Sequence, residues 1–328
     1  MKAVTVKLPG GAEQLQVVNI EKPVIRDGEL LIKVKACAIN RTDLMSREGK
    51  TGYMKNPVLG IEISGEVVEA AKDTNIKIGT RVMGLVNGGG YAEYAVMPAD
   101  RAMIIPDNLS YEEAAAIPEV FLTAYQTLFW LGGLTDDNTV LIHAGGSGVG
   151  TAAIQLAKQL TKAKIITTAG SQRKLDFCQS LGADVCINYK EQSFEEEVLG
   201  ATGNKGADVI LDFIGASYWE KNLKSINIDG RWVLIGVLGG TVVEKVDIMQ
   251  IMLKRLQLKG TLLTPRSDEY KRDLTDEFVQ RAMPLFLQGK VKPIVDTVFS
   301  LEDIQKAHEY MEANKNIGKI IVRIDATE

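Results

Sequence analysis

From Thr139 to Gly150 the chain reads TVLIHAGGSGVG and runs on into TAAIQLAKQL. A short apolar run, a turn of small residues and an alanine-rich helical pattern follow one another without a break. Gly145, Gly146, Gly148 and Gly150 let the backbone turn sharply and approach a ligand without Cβ contacts. The helix that follows would aim free N–H groups, and about half a positive charge, at a pyrophosphate. Read strictly, Gly148, Gly150 and Ala153 satisfy G-x-G-x-x-A. Such a turn is common alone; after an apolar strand and before a helix it predicts a dinucleotide site. A tight turn with only a structural part is the alternative.

The end of the next apolar run decides which dinucleotide. NAD sites usually carry an acid about 20 residues past the glycines, to bond the ribose hydroxyls. Here that place reads IITTAGSQRKL, Ile165 to Leu175, without an acid before Asp176 and with Gly170, Ser171, Arg173 and Lys174 instead. A hydroxyl and basic side chains would bind a 2′-phosphate through charge-assisted bonds, so the pattern predicts NADPH. Ser171 capping a helix, with Arg173 and Lys174 solvated, is compatible with the same residues.

Two textures surround these motifs. Up to about Ile117, short β-rich runs such as KAVTVKL, ELLIKVKACAIN and EISGEVVEA alternate with Gly, Pro and Asn; this predicts an irregular, mostly antiparallel β domain. From Pro118 strands alternate with helices (VLIH, KIITT, VCIN, DVILDF, RWVLIGV, LQLKGTLL), which predicts a doubly wound parallel sheet of six strands. After Leu263 the pattern gives one helix over YKRDLTDEFVQRAMPLFLQG, a strand IVDTVF, a helix LEDIQKAHEYMEANK and a strand KIIVRI.

Composition excludes some functions. With 38 basic and 42 acidic residues the net charge is −4, no footprint for nucleic acid or an anionic membrane. The longest apolar stretch, Trp232 to Val243, is broken by glycines and reads as a buried strand and turn. The N-terminus alternates like a strand and lacks the apolar region of a signal peptide. Cys37, Cys178 and Cys186 form no C-x-x-C pair and read as core residues of a protein in a reducing compartment, the cytoplasm.

Longer stretches carry a resemblance. NRTDLMSREG, GIEISGEV, AAAIPEVFLTAYQTL, LIHAGGSGVGTAAIQLAK, TAGSQRKL, YWEKNLKSINIDGRWVLIG and HEYMEANKNIGKIIV resemble the zinc-free quinone oxidoreductase branch of the medium-chain dehydrogenase/reductase superfamily. The match covers nearly the whole chain in order. It implies an α/β protein with a GroES-like catalytic domain (1–120 and 264–328) around a Rossmann NADP-binding domain (121–263). Cofactor and substrate would lie in the cleft between them, and the oligomer would be a homodimer or homotetramer.

The resemblance also marks what is missing. Asn40 and Ile61 stand where zinc-holding members carry their first two ligands, and PEVFLTAY offers no cysteine for the third. Neither asparagine nor isoleucine is a useful zinc ligand, and His143 and His308, the only histidines, are too far apart in sequence to make a site. No metal is expected. Without a Lewis acid, alcohol oxidation gives way to hydride addition to a quinone, whose ring stabilises the resulting anion.

By resemblance Asn40 and Asp43 face the reaction, orienting ribose or substrate and relaying a proton; Asp43 capping the helix LMSREG is the alternative. Relatives carry a tyrosine where Thr51 stands, and Tyr53 either replaces its hydroxyl or packs at the surface. Tyr91 reads as a packing residue. Carried over by resemblance, Thr123 and Asn316 contact the cofactor. Ser147, Gly148, Val149 and Gly150 hold the pyrophosphate, and Gly170, Ser171, Lys174 and Tyr189 surround the 2′-phosphate. Gly236, Val237 and Leu238 complete the set. Two other functions stay open: a reductase of activated alkenes (2-alkenals or enoyl thioesters), and an NADPH-binding structural or RNA-binding protein like zeta-crystallin.

Overall fold

The computed structural model describes residues 1–51 and 56–324. Contacts divide the chain into two compact units, Met1–Leu122 with Thr264–Glu328, and Thr123–Leu263.

The first unit opens with a ribbon, β1 (Lys2–Val6) against β2 (Leu15–Asn19), and continues through β3 (Glu29–Ala38) and helix α1 (Arg41–Arg47). Strands β4 (Glu62–Ala70), β5 (Arg81–Leu85), β6 (Tyr94–Pro98) and β7 (Met103–Ile104) follow, then α2 (Tyr111–Ala115) and α3 (Pro118–Tyr125). The chain passes into the second unit within α3. Strand β3 pairs antiparallel with β4 and β6, and its side chains are buried on both faces over most of its length. Its LLI and ACA stretches are accordingly continuous in apolar residues, while IKVKA between them alternates, with Lys33 and Lys35 half-buried.

The second unit is one parallel sheet. Its strands are β8 (Thr139–Ile142), β9 (Lys164–Ala169), β10 (Val185–Asn188), β11 (Ala207–Asp212), β12 (Ile226–Leu234) and β13 (Gln257–Gly260), in the spatial order 10-9-8-11-12-13. The helices between them are α4 (Gly148–Leu160), α5 (Gln172–Ser180), α6 (Phe194–Ala201), α7 (Trp219–Ser225) and α8 (Ile248–Leu253). The strand order reverses at β8, and sheets of this kind bind ligands beyond the carboxyl ends of the strands at such a reversal. The Trp232–Val243 stretch is not buried throughout: Trp232 and Val233 are, but Val237 is 47 % and Val242 77 % exposed, because β12 ends at Leu234.

Back in the first unit, the pattern expected as one helix after Leu263 is two, α9 (Asp268–Arg281) and α10 (Met283–Leu287). Pro284 has no N–H to continue the ladder and instead takes the first turn of α10. Then come β14 (Val295–Ser300), α11 (Ile304–Glu312) and β15 (Lys319–Arg323). Strand β15 pairs antiparallel with β3 and parallel with β14, so the C-terminal segment completes the sheet that the N-terminal segment begins.

Candidate active site

The glycine turn has the geometry its composition predicts. Ser147 caps α4, its Oγ accepting the Gly150 N–H at 3.0 Å, and Ser147, Gly148 and Val149 are half-exposed at the helix start. A Cβ on Gly150 would lie 2.4 Å from the Ala144 carbonyl oxygen and 2.8 Å from the Gly145 backbone. The turn and helix thus pack backbone to backbone, and this position requires glycine. Ala144 takes the left-handed φ of 51° that the turn needs.

Beside it, the end of β9 gathers polar groups. A Cβ on Gly146 would meet the Lys174 side chain at 3.1 Å, so that side chain lies along the turn. A Cβ on Gly170 would stand 2.7 Å from the Tyr189 hydroxyl. Ser171 begins α5 but makes no side-chain capping bond, and it is exposed. Gly170, Ser171, Lys174 and Tyr189 therefore share one edge of the sheet with the glycine turn.

Across the switch point, Gly236, Val237 and Leu238 follow β12. The Gly236 and Leu238 N–H groups donate to the Asp212 and Phe213 carbonyls at 3.3 and 3.1 Å. His143 is structural here. It is buried, its Nε2 is 2.8 Å from Asn222 Oδ1, its Nδ1 is 3.0 Å from Thr168 Oγ1, and burial lowers its pKa. Thr123, buried in α3, accepts a hydrogen bond from the Thr127 hydroxyl at its own carbonyl (2.7 Å).

In the first unit Asn40 and Asp43 sit together in a buried polar cluster. Asp43 lies in the first turn of α1 and accepts three hydrogen bonds: from the Asn40 N–H (2.9 Å) and Tyr91 hydroxyl (3.0 Å) at Oδ2, and the Gly60 N–H (3.2 Å) at Oδ1. The capping contact is thus present. Burial pushes the Asp43 carboxyl up from 3.8 to about 7, against the pull of the Asn40 N–H, the Tyr91 hydroxyl and Lys319. Tyr91 is fully buried but also polar, its hydroxyl held by Asp43. Asn316 lies in the loop before β15 and donates to the Gly318 carbonyl at 2.7 Å. Thr51 spends its hydroxyl on Ser46 at 2.7 Å, and Tyr53 lies outside the described residues.

Sequence reasoning missed two members of the cluster. The Lys319 ammonium is 2.7 Å from Glu62 Oε1, and the two side chains are 4 % and 0 % exposed. The available signal was a single charge inside an apolar strand pattern, GIEIS and GKIIV, because a charge there must be paired.

His308, on α11, packs edge-on to Tyr91 with ring centroids 5.8 Å apart, and its Nδ1 lies 3.3 Å from an Arg47 nitrogen. Burial, and then Arg47, pull its pKa from 6.5 down to about 3. The unfolded chain takes up that proton first, so His308 costs stability as pH falls from 6.5 towards 3. Asp43 acts oppositely: the folded state holds a proton to about 7 and the unfolded chain only to 3.8, so stability falls as pH rises through that window. His308→Gln removes the first slope. Urea melts from pH 4.5 to 6.5 should then show the variant losing roughly 1.4 kcal/mol per pH unit relative to wild type. A constant difference between the two would move the titration to other groups.

Comparison with known proteins agrees with this architecture. Residues 26–107 match the alcohol dehydrogenase GroES-like domain and residues 148–280 the zinc-binding dehydrogenase domain. The human synaptic vesicle membrane protein VAT-1 homolog-like is 31 % identical over 347 residues, covering 100 % of this chain and 82 % of the relative. Among solved structures, Escherichia coli quinone oxidoreductase complexed with NADPH superposes with TM-score 0.90 at 30 % identity, over 98 % of this chain and 100 % of the other. An NAD-dependent alcohol dehydrogenase gives 0.89 at 31 %, over 99 % of this chain and 100 % of the other. The CurK enoyl reductase gives 0.87 at 26 %, over 99 % of both chains.

The zinc for which the second family is named does not fit the residues at these positions of this chain. Asn40 Oδ1 is bonded to the Lys319 ammonium, and the Ile61 side chain has no lone pair to give. Among the described residues no group of three or more His, Cys, Asp or Glu could hold a metal ion. Nor is any described helix long and apolar enough to cross a membrane. With two family domains matched and a relative covered over most of its length, the chain belongs to the medium-chain dehydrogenase/reductase superfamily, as an oxidoreductase with a GroES-like domain and a Rossmann domain.

Proposed function

We propose that this protein is an NADPH-dependent, zinc-independent reductase that transfers hydride to quinones. The observation that carries the cofactor is the edge formed by the glycine turn and the end of β9. There a free-standing Ser171, Lys174 along the turn and the Tyr189 hydroxyl over Gly170 take the place of an acid. The NADPH complex of the Escherichia coli quinone oxidoreductase supports the same reading.

When bound, NADPH supplies the hydride. Ser147, Gly148, Val149 and Gly150 hold the pyrophosphate at the α4 N-terminus, and Gly170, Ser171, Lys174 and Tyr189 hold the 2′-phosphate. Thr123 lies near the nicotinamide, and Gly236, Val237, Leu238 and Asn316 add further contacts to the cofactor. Asn40 orients ribose or substrate. The three donors to Asp43 give it a positioning part through the Asn40 backbone, and Tyr53, two residues after Thr51 in the sequence, is the candidate to replace the hydroxyl of the absent family tyrosine. A quinone asks for positioning, exclusion of water and one or two hydrogen bonds, which these residues supply.

Lys174→Ala should raise the NADPH KM at least about tenfold and leave NADH nearly unchanged, since one charge-assisted bond is worth roughly 1.5–3 kcal/mol. Equal effects on both cofactors would remove Lys174 from the 2′-phosphate. The function itself is tested by following NADPH and NADH oxidation with an ortho-quinone, a para-quinone and a 2-alkenal. Quinone turnover with NADPH preferred is expected. Turnover of the alkenal alone would make this a reductase of activated alkenes, the reading the CurK enoyl reductase favours. NADPH binding without turnover, together with a salt-dependent RNA shift, would make it a binding protein.

A homodimer or homotetramer in the cytoplasm completes the proposal. Three free cysteines suit a reducing compartment. The outer strand β13 exposes Leu258 (41 %), and Met252 (64 %) and Leu253 (61 %) stand out on α8. An uncovered sheet edge with apolar neighbours asks for a partner. Sedimentation equilibrium should show a multiple of the chain mass, reduced towards the monomer by Leu258→Arg. An unchanged multiple would place the interface elsewhere.

A further inference from the structure

A buried lysine on a sheet strand is costly unless every donor is matched, because burying an ammonium costs several kcal/mol. Lys319 on β15 meets that condition. Its Nζ donates to the Ile39 carbonyl at 3.0 Å and to Asn40 Oδ1 at 2.6 Å, and it pairs with Glu62 Oε1 at 2.7 Å. Three donors meet three oxygens, from the loop after β3 and the start of β4.

Two other buried cations of this unit pair outward: Arg47 with Glu312 (40 % exposed) and Arg101 with Asp268 (71 % exposed). Only a specific need explains an ion pair sealed on both sides. That need lies in Asn40. Its Nδ2 donates to the same Glu62 Oε1 at 2.8 Å, while its Oδ1 faces the ammonium. Rotating the amide by half a turn would set NH2 against NH3⁺ and oxygen against carboxylate. Glu62 is itself held, its Oε2 accepting the Glu119 N–H at 2.8 Å in the first turn of α3.

We propose that Lys319 is a positioning residue: with Glu62 it locks the Asn40 amide in one orientation and leaves the second lone pair of Oδ1 as the group offered to cofactor or substrate. The inference rests on the part given to Asn40 above.

A double-mutant cycle tests it, with Lys319→Met, Asn40→Ala and the two combined. Each is assayed as folded protein for quinone kcat and KM, for NADPH affinity by fluorescence, and for melting temperature. If Lys319 acts through Asn40, each single variant should lose at least about tenfold in kcat/KM, and the pair should be no worse than the poorer single within about threefold. Losses that multiply would overturn the proposal. So would a Lys319→Met protein that melts earlier but turns over and binds NADPH as wild type does. If Lys319→Met fails to fold, Glu62→Gln with Lys319→Met removes both charges and enters the cycle in its place. A wild type inactive on quinones would defeat the function proposed above; the cycle is then read on NADPH affinity, where multiplied losses, or none in the lysine variant, overturn the proposal and coupled losses sustain it.

Discussion

Gly150→Val is expected to weaken NADPH binding by more than about a hundredfold, or roughly 2.8 kcal/mol, while the first unit stays folded. The first Cβ atom alone would stand 2.4 Å from the Ala144 carbonyl oxygen and 2.8 Å from the Gly145 carbonyl carbon. Both are backbone atoms, so the clash cannot be relieved by a rotamer change. The turn must move, and with it the N–H groups at the start of α4. Gly146→Ala is the control: its Cβ would meet methylenes of Lys174 at 3.1–3.3 Å, a flexible side chain that can shift. Fluorescence titration with NADPH and a thermal melt separate loss of binding from loss of fold. Retained affinity in Gly150→Val would place the pyrophosphate elsewhere.

Glu62→Ala should be the most destabilising change in the buried cluster, by about 3–5 kcal/mol. It leaves the Lys319 ammonium bonded to two neutral oxygens and without its paired carboxylate, strips the Glu119 N–H of its acceptor, and leaves Asn40 Nδ2 only the longer bond to the Ala38 carbonyl (3.4 Å). At roughly 2–4 °C per kcal/mol for a chain of this size class, the melting temperature should fall by about 6–20 °C. Adding Lys319→Met should recover much of that loss, because a missing charge pair costs less than a single stranded charge. If the double variant melts lower than Glu62→Ala, the pair contributes through packing, and the electrostatic account fails.

The two charged residues show where reading a sequence stops. Glu62 and Lys319 lie 257 positions apart, and each stands as a charge beside apolar residues, in GIEIS and GKIIV. Nothing in either run names its partner. Pairing of β15 with β3, and of β3 with β4, sets their side chains against each other. Asp43 is similar: its place before LMSREG suggested a cap, but the Tyr91 hydroxyl that shares it arrives from 48 residues away. The single helix read after Leu263 failed for a local reason. Pro284 was visible, yet the apolar period runs through it, and periodicity alone does not register a missing N–H.

By itself the sequence determined what is local. Strand, glycine turn and helix from Thr139 to Leu160, the lack of an acid between Ile165 and Leu175, and the parallel succession of six strands all follow from neighbours within a few tens of residues. Backbone geometry, side-chain period and helix capping act over that range. Only the tertiary structure decided which polar groups meet: Lys174 against the glycine turn, Tyr189 over Gly170, and the closed set of Asn40, Glu62 and Lys319. Burial is the physical reason. A charge or amide removed from water must find partners wherever the chain has brought them, and sequence distance does not enter that requirement.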